Sequence, residues 1–433
     1  MSEILLFIPV IIIIVGIMST RIIPRPSDLK RVESAGPWKL IYGRRKTGKS
    51  FLIKNFTKYD KFFFVNRDAT VLDEDTLETY TWSSFFSIFK ELLGSKKIVV
   101  DEFHRLPDEF QDFLHASGVK GELTLITSTL WLANKMLNGA APLAGLVSPV
   151  RISMIDERDV LASLSKELNA KEALETSVYL REPYIIPQFN KGNIIDFVSN
   201  YLLENKFFLK NLIGEIFQEE GKSLSKIYEG ILKAVADGKR TSTEISSYLF
   251  ARSLLEKDSP SMMPKYLDTL VEMGILEMRK VFGKKKFYYF HASPILDLHY
   301  YLEAKYSYVD VYTPVEFIKK VVSVKLPMHV EQFFRNLLAK HLGMKDEIID
   351  TGSNELDIAL LQFKKLNIVG EVKWAKRISA DEIRSIENNL KSFPDARSIL
   401  IVPDKNALER KPDGIEVYDL ISLYDELGIG SKN

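Results

Sequence analysis

The chain opens on an apolar run from Ile4 to Met18 that no charge interrupts, with Ser19 and Thr20 extending it. This is just short of the ~20 residues a membrane helix needs and close to the lower limit; Pro9 and Gly16 are tolerated in such helices. A signal peptide and a buried core segment are the competing assignments. Against the signal peptide, Glu3 precedes the run and no Lys or Arg does. Arg21, Arg25, Lys30 and Arg31 follow it, which orients the bulk of the chain to the cytoplasm. Residues 1–20 are therefore expected to be a transmembrane anchor, and the proline-punctuated stretch 21–37 a linker. From Trp38 the pattern changes. Apolar runs at Trp38–Tyr42, Phe62–Asn66, Ile98–Val100, Glu122–Thr129 and Val150–Met154 alternate with helical spacing at 51–56 and 81–93. Strands alternating with helices predict a parallel sheet covered on both faces, here spanning 38–190.

Residues 191–225 read as helices. Ile227, Ile231, Leu232 and Val235 begin another helical unit, which Asp237-Gly238 ends. Thr241-Ser242-Thr243-Glu244 has the form of a capping box opening a second helix, and Ser259-Pro260 opens a third that stops at Gly274. Ile275–Phe282 and Lys286–Phe290 then pair around Gly283 as a hairpin. Three helices and a hairpin over 226–305 predict a winged helix. In 306–433, Phe333, Phe334, Leu337 and Leu338 mark an amphipathic helix, 355–361 and 368–374 two strands, and 379–391 and 398–402 a helix and a strand.

Composition bounds the chemistry. The 433 residues are 46% hydrophobic and 27% charged, as in folded globular proteins. Net charge is +1, so any nucleic-acid surface must be local. There is no cysteine, which excludes disulfides, thiolate zinc sites and cysteine nucleophiles.

The most specific motif is Gly43-Arg44-Arg45-Lys46-Thr47-Gly48-Lys49-Ser50, which fits G-x-x-x-x-G-K-[ST] between a predicted strand and a predicted helix. The glycines let successive N–H groups face one phosphate chain, Lys49 reaches its β- and γ-phosphates, and Ser50 can ligate Mg²⁺. About fifty residues on, a β-branched strand ends in Asp101-Glu102. Asp101 suits the metal shell and Glu102 the orientation of an attacking water. At the tip of the next strand, Ser128 or Thr129 either senses the γ-phosphate or caps the following helix. His104, just after these acids, offers two readings, a Mg²⁺-shell or sensor residue and an exposed loop histidine, and the second is the one expected.

A second constellation lies near the C-terminus. Glu371 and Lys373 are two apart on one strand and so share a face. Pairing that strand with 355–361 brings Asp357 beside Glu371. Two carboxylates would bind a divalent ion, Mg²⁺ or Mn²⁺, and Lys373 would position or deprotonate a water. Glu331, on the preceding helix, is a weaker fourth member.

Gly43–Ser50, Asp101-Glu102, the Thr127-Ser128-Thr129 strand end and Pro142-Leu143-Ala144-Gly145 together resemble the archaeal ATPase family of AAA-related, STAND-like P-loop proteins. The stretch from Tyr266-Leu267 to Met273-Gly274-Ile275-Leu276 resembles that family's winged helix. Asp357 with Glu371-x-Lys373 resembles PD-(D/E)xK nucleases. The family commonly carries an arginine after the glycine equivalent to Gly145; here Leu146 stands there, and Arg151 is the substitute considered. The resemblance implies an α/β protein: a P-loop sheet, a helical lid over 191–225, a winged helix and a restriction-endonuclease-like domain. It implies ATP and Mg²⁺ as cofactors. The expected partners are DNA, whose phosphates Lys265, Arg279, Lys280, Lys284, Lys285 and Lys286 of the predicted winged helix could meet, the membrane through the N-terminal apolar run, and a second copy of the chain. Function is then expected to be ATP turnover acting on DNA with a metal-dependent nuclease site, or alternatively an ATP-dependent switch binding a protein partner through a non-cutting C-terminal domain.

Overall fold

The structure is a computed structural model describing residues 21–137, 142–352 and 355–430. The expected membrane segment, residues 1–20, lies outside the described residues. Among the described residues no helix is long and apolar enough to cross a membrane.

The first unit is a seven-stranded sheet. Its strands are β1 (Trp38–Tyr42), β2 (Lys61–Val65), β3 (Val71–Asp73), β4 (Thr79–Tyr80), β5 (Lys97–Asp101), β6 (Glu122–Thr127) and β7 (Ser148–Arg151), ordered β4-β3-β2-β5-β6-β1-β7. β2, β5, β6, β1 and β7 run parallel, and β3 and β4 add an antiparallel edge. One face buries Leu40, Phe63 and Val100 under α3 (Trp82–Leu92) and α4 (Asp108–Ser117), whose Phe85, Phe89, Phe110 and Leu114 are fully buried. The other face packs Ile41, Phe62, Val99 and Ile126 against Leu52 and Ile53 of α2 (Lys49–Phe56). Apolar residues therefore point both ways along each strand, which suits a two-faced parallel sheet.

The stretch 21–37 is not simply a linker. Pro26 starts a helix, α1 (Pro26–Ser34), and Val32 joins the core under the sheet. Proline at the first helical position is compatible with this, because its missing N–H has no partner there anyway. α5 (Leu130–Leu137) follows β6 at the sheet's end.

Beyond the sheet come α6 (Glu157–Leu164), α7 (Ala170–Tyr179), α8 (Ile194–Glu204) and α9 (Lys206–Glu219). Next are α10 (Lys226–Ala236), α11 (Ser242–Phe250) and α12 (Met263–Glu272), then the antiparallel hairpin β8 (Leu276–Lys280) and β9 (Phe287–His291). The Thr241 capping box is made in full: Thr241 accepts from Glu244 N and Glu244 reaches back to the cap's own N–H. α13 (Pro294–Tyr306) leads into α14 (Val315–His341), a 27-residue helix with Pro327 inside it.

The C-terminal sheet is ordered β10-β13-β14-β15-β16, from β10 (Lys345–Asp346), β13 (Ile358–Gln362), β14 (Lys365–Val372), β15 (Arg397–Ile401) and β16 (Glu416–Tyr418). A separate pair, β11 (Ile349–Asp350) with β12 (Glu355–Leu356), precedes β13, so the expected strand 355–361 is interrupted at Asp357. Alternation divides the sheet's faces. Ile358, Leu360 and Ile368 join the large helical core that α14 also lines, whereas Ala359, Val369 and Leu400 face α15 (Ala380–Leu390). α16 (Leu420–Glu426) packs Leu423 and Tyr424 into the large core.

The hairpin is docked on this last unit. Val281 bridges Ile348, Phe282 N donates to Ile348 O at 2.7 Å, and Ile348 N donates to Lys280 O at 2.9 Å. Val281, Tyr288 and Ile348 form a small buried cluster. Tyr288 Oη donates to Asp350 at 2.6 Å, Lys286 Nζ lies 3.4 Å from the same carboxylate, and Lys284 Nζ donates to Asp350 O at 2.8 Å. These contacts hold the Asp350 carboxyl down at about 2, the Tyr288 hydroxyl being the largest cause.

Candidate nucleotide site and C-terminal carboxylate cluster

The loop from Gly43 to Gly48 joins β1 to α2. A side chain at Gly43 would place Cβ 1.9 Å from Ile152 O, so only glycine lets the loop leave β1 beside the next strand's end. Gly48 sits at φ +81 as the N-cap of α2, a left-handed conformation that side chains resist. α2 thereby aims its positive end into the loop.

Lys49 is buried, and its ammonium donates to Gly43 O at 2.8 Å and Arg44 O at 3.1 Å. Burial is the largest influence on it and pulls its pKa from 10.5 to about 8, with Glu102 and Asp101 opposing. Asp101 is also buried, and loss of solvent pushes its carboxyl up to about 6 although Ser50 hydrogen-bonds to it. Strand β5 thus delivers its terminal acid to the first turn of α2.

Glu102 adopts φ 54 and ψ 36, which turns the chain sharply out of β5. Its carboxylate accepts from Ser128 Oγ at 3.0 Å and lies 3.4 Å from His104 Nδ1. His104 is itself 3.0 Å from Thr127 Oγ1 and only partly exposed. This corrects its assignment as an exposed loop residue: it belongs to the β5–β6 end, where burial lowers its pKa. Ser128 is therefore the strand-tip residue that touches Glu102. Thr129 Oγ1 is buried without a hydrogen-bond partner among the described residues.

A cavity of about 470 Å³ lies over the loop, lined by Arg45, Lys46, Gly48, Lys49, Ser50, Glu102 and Ser128. Asn66, Arg67 and Arg105 line it as well and were not singled out in the sequence; each follows a strand end by a few residues, a position whose significance is invisible before strand order is known. Arg105 is steadied by Val65 O at 2.8 Å.

The two loop arginines diverge. Arg45 reaches Glu215 at 2.8 Å and also pairs with Glu219, both on α9. Arg44 is buried and forks onto Glu182, at 2.7 and 3.0 Å. Two more contacts tie the neighbourhood together. Arg25, from the stretch read as linker, donates to Thr47 O at 2.5 Å and Ser153 O at 2.7 Å. Glu220, just past α9, accepts from Leu130 N at 2.6 Å and Trp131 N at 2.9 Å, capping α5. Leu146 packs against the sheet's apolar layer, and Arg151 is not among the residues lining the cavity over Lys49.

In the C-terminal unit, Asp357 lies opposite Glu371, as the Ile358–Gly370 register of β13 and β14 requires. Asp357 Oδ2 accepts from Val372 N at 2.9 Å, and Lys373 Nζ lies 3.0 Å from Glu371. Burial first and Asp357 second push the Glu371 carboxyl up to about 7, and the same two causes, in that order, raise Glu331 to about 8. Arg335 Nε donates to Asp357 O at 2.6 Å. The expected residues do come together, but among the described residues no group of three His, Asp or Glu side chains is arranged to hold a metal ion. The donor set therefore offers a metal Asp357 and Glu371 at most, with Glu331 beside them.

The basic residues expected to meet DNA divide. Lys265, Lys280, Lys284 and Lys285 are exposed. Lys284 and Lys286 are engaged by Asp350, and Arg279 is buried among Glu277, Asn336 and Asp346. Arg279 is thus a structural contact of α14 and β10, which overturns its assignment to a DNA-facing surface.

No protein-family model matches the sequence, and no curated protein matches it. Among solved structures the chain is similar to a Walker-type ATPase of Pyrococcus abyssi, at 16% identity and TM-score 0.43 over 65% of this chain and 97% of that one. It is also similar to the ORC1 protein of Aeropyrum pernix in complex with DNA (14% identity, TM-score 0.29, 67% and 95%). A third is the ORC2 protein of Aeropyrum pernix with ADPNP and ADP (12% identity, TM-score 0.34, 70% and 91%). Scores this low leave the sheet order and loop geometry above to carry the fold assignment.

Proposed function

We propose that the chain binds and hydrolyses ATP at the Gly43–Ser50 loop and couples that cycle to DNA. The observation that carries this is a buried lysine ammonium in no ion pair among the described residues, folded back on its own loop's carbonyls at the N-terminus of α2. Lys49 releases those carbonyls to meet phosphate oxygens, and the loop's N–H groups and the helix end add to the same field. The hard oxygen donors Ser50 and Asp101 fit a magnesium ion, which when bound neutralises phosphate charge. Glu102 then orients a water, and leaving Ser128 is the movement that frees it. Helices α8 and α9 form a lid, which Arg45 with Glu215 and Glu219 would latch. The test is ATP-dependent thermal stabilisation and DNA-stimulated turnover, in wild type and in Lys49→Ala. Stabilisation by ATP that survives in Lys49→Ala would overturn the assignment.

Two further readings each have an observation behind them. Segment 226–305 is read as a winged helix, and its hairpin is docked on the C-terminal unit through Asp350, which favours an ATP-dependent switch that conceals a binding surface. The convergence of Asp357, Glu371 and Lys373 favours a nuclease-like site taking Mg²⁺ or Mn²⁺. Mn²⁺ binding and plasmid nicking in wild type, both lost in Asp357→Asn, would support it; metal binding without nicking favours the switch. Residues 4–20 are proposed as a single membrane anchor with the bulk of the chain cytoplasmic.

A further inference from the structure

A second cavity, of about 460 Å³, lies behind the loop where the seven-stranded sheet, segment 226–305 and α14 meet. Two arginines in its wall are more than nine-tenths buried, Arg44 at 5% and Arg279 at 6% exposure, and Nη1 of each has no acceptor among the described residues. The rest of each guanidinium is occupied. Arg44 Nη2 forks onto Glu182, while Arg279 Nη2 donates to Glu277 and Asn336 and its Nε lies 3.1 Å from Asp346. A third arginine, Arg151, makes no side-chain ion pair among the described residues. Its Nη2 leans over Gly274, where an added Cβ would meet it at 3.4 Å and Arg44 Cβ at 4.0 Å.

Acids also face this space. Glu157 is matched by Lys340 at 2.6 Å and Arg181 at 2.8 Å, and Glu277 and Asp346 by Arg279. By hydrogen bonding among the described residues, the two Nη1 groups are left over, as are Glu157 Oε1 and Asp346 Oδ2, which have ion-pair contacts only, and Arg151 has no ion pair there. A buried charged donor without an acceptor is costly, and a ligand that accepts would relieve two of them on one wall. Planar guanidinium forks suit phosphoryl oxygens. The remaining wall includes Met154, Val271 and Leu276, which would suit an apolar or aromatic moiety, and the volume is that of a small-molecule site.

We propose that this cavity binds an organic phosphate of mononucleotide size, its phosphoryl group held by Arg44, Arg151 and Arg279. The site is separate from the cavity over Lys49 but adjoins it, because Arg44 O is one of the two carbonyls holding the Lys49 ammonium. Occupancy behind the loop would therefore change affinity in front of it, and the reverse, by the same factor.

The test uses the full chain saturated with ADP and Mg²⁺ and titrated calorimetrically with AMP and, separately, inorganic phosphate. One further equivalent of AMP is expected, bound at least about tenfold more tightly than phosphate and weakened about tenfold or more by Arg151→Ala and by Arg279→Gln. Arg151 is exposed, so its variant keeps the test alive if Arg279→Gln does not fold. Displacement of AMP by ADP, phosphate binding as tight as AMP, unchanged AMP affinity in Arg151→Ala, or no AMP binding at millimolar concentration would each overturn the proposal. If ADP fails to bind at all, the front-site assignment falls while the AMP titration still decides this one.

Discussion

Binding of a triphosphate should draw a proton onto Lys49, and the amount should depend on pH in a way fixed by the fold. Burial lowers this lysine from 10.5 to about 8. At about 1.36 kcal/mol per pH unit this is a penalty of roughly 3 kcal/mol on the charged form. The sign follows from proton counts. Between pH 8 and 10.5 the unfolded chain holds the proton and the folded chain has lost it, so this residue's contribution to stability rises with pH through that window. A phosphate chain beside the ammonium restores an ordinary pKa, so the bound state stays protonated. Uptake on binding should then be roughly one tenth of a proton at pH 7, about half at pH 8 and about nine tenths at pH 9. Calorimetric titration with ATP in two buffers of different ionisation enthalpy measures this directly. Asp101 and His104 titrate lower, so from pH 7.5 to 9 they contribute little to it. Uptake that stays flat from pH 7.5 to 9 would refute the view that phosphate replaces the loop carbonyls as partner of Lys49.

Glu102→Gln should bind ATP with near wild-type affinity yet turn it over at least about a hundredfold more slowly; wild-type turnover would remove Glu102 from the mechanism. Asp350→Asn should loosen Lys286, which its carboxylate holds, and steepen the salt dependence of DNA affinity by about one unit of slope; an unchanged slope would count against a concealed basic surface. Glu371 has its carboxyl raised to about 7, so its share of stability is present below 4.5 and lost as pH rises through 7. Glu371→Gln should therefore raise the metal-free melting temperature at pH 8, by up to roughly 3 kcal/mol in stability, and little at pH 5; a lower melting temperature at pH 8 would mark the cluster as structural. Fractionation of the full chain should leave it carbonate-resistant in membranes, and recovery in the soluble fraction would argue against the anchor.

The five parallel strands of the first sheet were legible because apolar runs mark them and three end at chemically distinctive residues, Gly43, Asp101 and Thr127; the short antiparallel strands β3 and β4 carry no such run and were not expected. The loop motif is contiguous, so its geometry could be expected from sequence alone. The pairing of Asp357 with Glu371 was also foreseeable, since two-residue periodicity fixes which side chains share a face. What escaped depends on distance along the chain. Arg25 holds Thr47 across 22 residues, Arg44 meets Glu182 across 138 and Arg45 meets Glu219 across 174. A lone charged residue in a helical or proline-rich stretch carries no signal of the partner that folding will supply. His104 was misjudged for the same reason: its neighbour Thr127 arrives on another strand. The wing's lysines look alike in sequence, and only docking onto Asp350 separates the engaged from the exposed.

That docked hairpin carries a thermal consequence. Besides its lysine contacts it buries Val281, Tyr288 and Ile348 in one patch, so lifting it would wet apolar surface. Wetting such surface carries a positive heat-capacity change, and apolar burial weakens on cooling. The balance between docked and lifted hairpin should therefore shift with temperature even at constant nucleotide and salt, cold favouring release. A lifted hairpin would also leave a sticky apolar surface that a partner would have to cover.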